Sequence, residues 1–162
     1  MKLITEIMEE KALPIVDKIY NDGFIQGLIR ADLSKEAVEH YLKADALYLE
    51  NFSDIYAMLL AKSNDKVEKN FFLGQINFVL NEEIAAHKNL AEDHPLKFWV
   101  EFYADGLVDE VLTEYHKIIN REAEFMSEEG KQRLIKNFLE SCEHERRFFN
   151  MAYTQERWDL EV

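Results

Sequence analysis

Three carboxylates fall where apolar side chains are expected. In HYLKADALYLENF, residues 40–52, Leu42, Asp45, Leu49 and Phe52 recur with the rhythm of one helix face, and Tyr41 and Tyr48 flank that stripe. In NFFLGQINFVLNEEIAAHKNL, Phe72, Ile76, Val79, Glu83, Ala86 and Leu90 step by four and three, with His87 one turn beyond Glu83. In KNFLESCEHERRFFNMAY, Phe138, Cys142, Glu145, Phe149 and Ala152 do the same, and Phe148 is the i+3 neighbour of Glu145. A buried carboxylate is costly unless it gains a partner or keeps a proton. A single such acid is commonly a satisfied structural group. Three on separate helices point to a polar pocket inside a bundle, where bundle ligand sites lie. A carboxylate there can grip a nitrogen-rich ring, and a proton-retaining one can act as a general acid.

These acids need long helices to position them. The chain has 162 residues with only two prolines and five scattered glycines, which favours helices and leaves no glycine-rich phosphate loop. The pattern predicts helices over 2–21, with a kink at Pro14, over 34–62 behind Ser34 as N-cap, and over 66–91, 96–104, 107–126 and 131–157. A short helix or turn is expected over 24–29, and a break at Ser127 to Gly130. No repeat or linker interrupts the chain, so we expect one all-α domain over 1–162.

Charge and composition narrow the function. The net charge is −13, which leaves no basic footprint for nucleic acid or an anionic membrane. No apolar run is long enough to span a bilayer, and the acidic start MKLITEIMEEK is unlike a targeting segment. The single cysteine, Cys142, has no internal disulfide partner. A cytoplasmic protein is expected. Glu140, Glu143 and Glu145 surround Cys142, the reverse of what lowers a thiol pKa, so it reads as a packing residue.

Taken together, the segments resemble the TenA/thiaminase II family, which has a heme-oxygenase-like helical bundle. FIQGLIRADLSKEAVEHYLKADALYLENF is similar to that family's early helices through Phe24, the turn Ala31-Asp32-Leu33, Tyr41-Leu42, Ala44-Asp45, Tyr48-Leu49 and Phe52. NEEIAAH resembles its E-x-x-x-H helix at Glu83 and His87. FWVEFYADGLVDEV resembles its W-I-x-x-Y segment through Trp99 and Tyr103, and HERRFFNMAY its ending through Glu145, Phe148, Phe149 and Met151-Ala152. The resemblance implies that Asp45 binds an aminopyrimidine and that Tyr48 lines the pocket with Tyr41 and Phe148. It also implies that Tyr103 lies near the reaction centre and that Glu145 takes part in proton transfer. It implies no cofactor. One departure stands out. Family enzymes carry a further stretch of about two helices between the E-x-x-x-H helix and the W-I-x-x-Y segment, holding in many members the catalytic cysteine. Here only KNLAEDHPLKF separates His87 from Trp99. A reduced bundle should expose apolar faces, so we expect a homodimer or larger assembly with an interface that includes 87–104.

Three functions compete on this basis. One is a hydrolase of aminopyrimidines in thiamin salvage, working through a carboxylate-activated water. Another is a non-catalytic small-molecule-binding or interaction protein on the reduced scaffold. The third is a carboxylate–histidine di-metal oxidase. Its candidate pairs are Glu36/His40, Glu83/His87 and Glu140/His144, of which only Glu83/His87 lies on an apolar stripe. Heme oxygenase chemistry finds no proximal ligand, since no histidine precedes His40.

Overall fold

The computed structural model describes residues 2–83 and 107–156. Among these residues the chain is all helical, with no strand: α1 (Ile4–Tyr20), α2 (Gly23–Arg30), α3 (Lys35–Lys62), α4 (Lys66–Phe78), a π-helical turn (Val79–Glu83), α5 (Leu107–Glu124) and α6 (Glu128–Thr154). The expected 96–104 helix lies outside the described residues. Helix α1 runs through Pro14, which lacks the N–H for one intrahelical bond. The expected break at 127–130 is a helix start instead. Ser127 Oγ accepts from Gly130 N at 3.1 Å, so Ser127 is the N-cap and Gly130 lies inside α6.

The chain divides into two compact units, residues 1–33 with 100–162, and residues 34–99. In the first, α6 carries the apolar face on which α1 and α2 pack, and α5 packs on α1. Ile4 and Met8 of α1 meet Ala123 of α5 and Ile135 of α6, with Ile119, Leu134 and Phe138 around them. Burial of such a cluster is the main favourable term in folding. Thr5 is buried, and its backbone N–H and hydroxyl both donate to Asn120 Oδ1 at 3.2 Å. That bond satisfies a donor which the first turn of any helix leaves without a partner.

Helix α2 is held to α6 more tightly than its length suggests. Phe24 is only 2% exposed and its ring stacks on Phe149, centroids 5.9 Å apart. Asp22 Oδ1 accepts from Phe24 N at 2.9 Å, and Asp22 Oδ2 accepts from Asn150 Nδ2 at 3.3 Å. One buried carboxylate thus caps α2 and ties it to α6. The helix ends in a Schellman turn, in which Asp32 N donates to Gly27 O at 3.0 Å and Ala31 N to Leu28 O at 3.1 Å. Ala31 takes the left-handed conformation, φ 58°, that this turn requires and that glycine adopts without cost.

Among its described residues the second unit is an α3–α4 hairpin continued by the π-helical turn. Ser34 Oγ accepts from Ala37 N at 3.1 Å, and Asp65 Oδ1 accepts from Val67 N and Glu68 N at 2.7 and 3.0 Å. Ala37, Tyr41, Asp45, Leu49, Ser53 and Tyr56 form the buried line of α3. Phe72 and Val79 are buried on the other arm.

Asp22→Ala removes both the cap and the tie to Asn150, and we expect it to cost about 1–2 kcal/mol, read as a lower urea midpoint. Ala31→Gly should act in the opposite direction, raising stability by about 0.5–1 kcal/mol. A neutral or destabilising outcome at Ala31 would contradict the strained turn.

Candidate functional site

The expected site residues that are described lie on two helices. Tyr41, Asp45 and Tyr48 are on α3, and Glu145 and Phe148 are on α6. Tyr103 and His87 lie outside the described residues. Glu83 closes the π-helical turn.

On α3 the buried line differs slightly from the expected one. Asp45 and Leu49 are buried as expected, and Leu42 and Phe52 are half-buried. Tyr41, expected as a flank, is itself buried one turn before Asp45. Asp45 is 9% exposed, so its carboxylate has left most of its water behind. Next to it the surface turns aromatic. Tyr48 is half exposed and stacks on Phe52 at 5.5 Å, and Phe52 meets Tyr56 edge-on at 4.8 Å. A carboxylate beside a row of aromatic faces can hold a flat, nitrogen-bearing ring by hydrogen bonds at its edge and stacking on its faces.

Helix α6 presents its acid differently. Phe149 and Ala152 are buried, and Phe138 and Cys142 are half-buried on the same stripe. Glu145, expected to face in with them, is open to water. Nearby protein still displaces enough solvent to push its carboxyl above the ordinary 4.5, with burial as the cause. Two residues away, Glu143 is the contrast. Arg146 donates to both of its oxygens at 2.8–3.0 Å, Arg147 adds a longer ion pair, and its carboxyl is held down at about 2. Phe148 packs edge-to-face on Phe149 at 6.2 Å. Burial first, and the charge of Glu145 second, push the Cys142 thiol up, away from the thiolate a nucleophile needs.

Metal-binding potential is low on the described residues. No three His, Cys, Asp or Glu side chains among them converge as a ligand set. Glu140 pairs with Lys136 at 3.4 Å, and Glu36 and His144 are exposed. The buried Nε2 of His40 has no hydrogen-bond partner among the described residues. The side chains of the Glu83/His87 pair lie outside them.

A groove of about 370 Å³ between α1 and α6 is lined by Lys11, Gln132, Ile135, Lys136, Leu139, Glu140 and Glu143. None of the expected site residues lines it. It is open to solvent, and Ile135 and Leu139 share its lining with two lysines, two glutamates and a glutamine. Sequence reasoning missed Ser53, which continues the buried line two turns beyond Asp45, its hydroxyl donating to Glu50 O at 2.7 Å. The four-residue step from Asp45 through Leu49 is the signal that could have found it.

Glu145 should titrate above 4.5 by carboxyl NMR and Glu143 near 2. A raised carboxyl binds its proton better in the folded chain, so its ionisation opposes folding as pH rises past the unfolded value. Glu145→Gln should therefore flatten the stability loss that begins near pH 4.5 and extends upward. An unchanged pH profile would contradict the raised carboxyl.

No described helix is long and apolar enough to cross a membrane. Residues 9–97, more than half of the chain, match the TENA/THI-4/PQQC family. An aminopyrimidine aminohydrolase of Staphylococcus epidermidis is 31% identical over 217 aligned positions, covering 94% of this chain and 94% of that protein. An aminopyrimidine aminohydrolase of Staphylococcus aureus is 30% identical over 216 positions, covering 93% and 94%. Both alignments are longer than the 162 residues of this chain, so they cross stretches of the relatives that it lacks. The all-helical architecture of the described residues and these matches agree: the chain is a shortened member of the TENA/THI-4/PQQC family.

Proposed function

We propose that this chain is a TenA-like protein of thiamin-pyrimidine salvage that binds an aminopyrimidine and hydrolyses it. The whole chain acts as one TenA-like domain in the cytoplasm and works as a homodimer or larger assembly. The observation that carries the reading is Asp45. It is a buried carboxylate on an apolar helix line, beside the Tyr48–Phe52–Tyr56 row, in a chain whose relatives are named aminopyrimidine aminohydrolase.

The roles follow from the chemistry of the side chains. Asp45 accepts from the exocyclic amine of the pyrimidine and shares a proton with the adjacent ring nitrogen. Tyr41, Tyr48 and Phe148 supply aromatic faces to the ring, and Tyr103 stands near the reacting carbon. Hydrolysis breaks a C–N bond and forms a C–O bond to water, and the departing amine needs a proton. Glu145, whose carboxyl nearby protein pushes upward, is suited to giving that proton to the departing amine and to taking one from the attacking water. A cysteine nucleophile plays no part here, because the elevated Cys142 thiol is a poor one.

A second reading is a non-catalytic pyrimidine-binding protein, favoured by that same lack of an activated thiol. One pair of measurements separates them. Calorimetric titration with 4-amino-2-methylpyrimidines bearing a 5-hydroxymethyl or 5-aminomethyl group should show micromolar binding that Asp45→Ala removes. Release of ammonia from the aminomethyl compound should be lost in Glu145→Gln while binding is kept. Binding without ammonia release selects the second reading, and no binding at all overturns both.

A further inference from the structure

Helix α2 is only 8 residues long, yet α6 fixes its start closely. Asp22 Oδ2 accepts from Asn150 Nδ2 at 3.3 Å. The Phe24 ring stacks on Phe149, with centroids 5.9 Å apart and planes 25° apart. A Cβ at position 23 would lie 2.6 Å from the Tyr153 ring, so the missing side chain of Gly23 lets that ring close on the first turn of α2. These contacts enclose the Phe24 ring, which is 2% exposed, and a close-packed interior leaves such a ring little room to turn.

The stack does not end at Phe149. That ring, 8% exposed, meets Phe148 edge-to-face, with centroids 6.2 Å apart and planes at 64°. Phe148 is half-buried, so part of its ring is open to solvent. The rings therefore run outward from the interior in the order Phe24, Phe149, Phe148. Phe148 is the one among them with a proposed face toward the pyrimidine.

We propose that Phe24 is a positioning residue for the ligand site: acting through Phe149, it sets the orientation in which Phe148 offers its ring to the pyrimidine. The proposal rests on the aminopyrimidine reading and gives α2 a part in it. A helical phenylalanine takes a χ1 of about 180° or about −60°. A half-buried ring can populate both wells, and the edge-to-face contact with Phe149 favours one of them. That contact depends on how the Phe149 ring is turned, and the ring stacked on it turns it. Aromatic pairs are specific in geometry, which general apolar contact is not. An aliphatic side chain at position 24 would fill space but leave the Phe149 plane unset. A ligand that stacks on Phe148 binds the fraction of chains in which the ring already stands correctly, so apparent affinity falls in proportion to that fraction. One ring contact of this kind corresponds to roughly a fivefold change in population.

The test uses the full chain. Phe24→Leu removes the ring and keeps an apolar side chain. Phe24→Met does the same with an unbranched side chain that fills irregular gaps, in case the first variant loosens the fold. Met8→Ala is the control: it weakens the same unit from the cluster of Ile4, Met8, Ala123 and Ile135 rather than from the ring stack. Three-bond NMR couplings report χ1 of Phe148 without ligand, and calorimetry gives the Kd for the 5-hydroxymethyl pyrimidine. Both Phe24 variants should move the Phe148 couplings toward averaged values and raise Kd about fivefold. Met8→Ala should lower the urea midpoint and change neither readout. Unchanged couplings or an unchanged Kd in the Phe24 variants would overturn the proposal. An equal effect in Met8→Ala would overturn it too, since that marks general loosening. If the unsubstituted chain binds no pyrimidine, the pyrimidine reading falls by itself, and the ligand-free couplings alone decide whether Phe24 orients Phe148.

Discussion

The apolar stripe of α6 is the constraint on which the first unit depends. Helices α1 and α2 both pack on it, and α5 is held indirectly through α1. A helix as short as α2 would not persist alone in water. It persists because Phe24 is enclosed against Phe149, and because Asp22 closes the end of α2 on Asn150. The same stripe carries Glu145. Any group that α6 offers to a ligand is therefore fixed by the packing that forms the core. A substitution at Phe149 or Ala152 would disturb fold and site together, which makes Glu145 itself the cleaner probe.

The acids of this chain show how environment separates chemically equivalent groups. Glu143 and Glu145 are two residues apart on one helix, yet one is held near 2 by two arginines while the other is pushed above its ordinary value. At neutral pH this leaves Glu143 a fixed anion within an ion-pair network and gives Glu145 the greater tendency to hold a proton. Asp22 is a third case, a buried carboxylate occupied by a helix N-terminus and an amide. Asp45 is the fourth, buried on a tyrosine-rich line of a different helix. Counting acids on apolar stripes cannot distinguish these cases. The distinction depends on which donors stand within hydrogen-bond distance, which is a tertiary property.

That limit also explains how much could be read from the sequence. The long helices were legible because caps and periodicity agreed: Ser34 starts α3 and Lys62 ends it, as expected. Asp45 was legible because a lone carboxylate in an apolar rhythm is conspicuous. The start of α6 was misplaced because Gly130 looked like a breaker, whereas Ser127 had already capped the helix and made the glycine tolerable. The inward placement expected of Glu145 did not hold, since it is open to water. It shares the stripe with Phe149 and Ala152, but whether a stripe position is covered depends on which helix lies over it. The π turn at Val79–Glu83 was not legible at all, because an extra residue in a helical turn leaves no compositional mark. Glu83 closes that turn, so a regular four-and-three stripe through Phe72 and Val79 does not fix its direction.

Helix α3 shows how a buried line moves around a long helix. A line drawn in steps of four moves about 40° around the helix at each step. The buried series from Ala37 through Tyr41, Asp45, Leu49 and Ser53 therefore winds steadily away from where it began. By the fourth turn the original face is uncovered, and it is there that Ile55, Met58 and Leu59 stand. Asp45 is buried on that line while Tyr48 beside it is half exposed, which is the combination a ligand site requires: a desolvated charge to orient the ligand and an open face through which it enters.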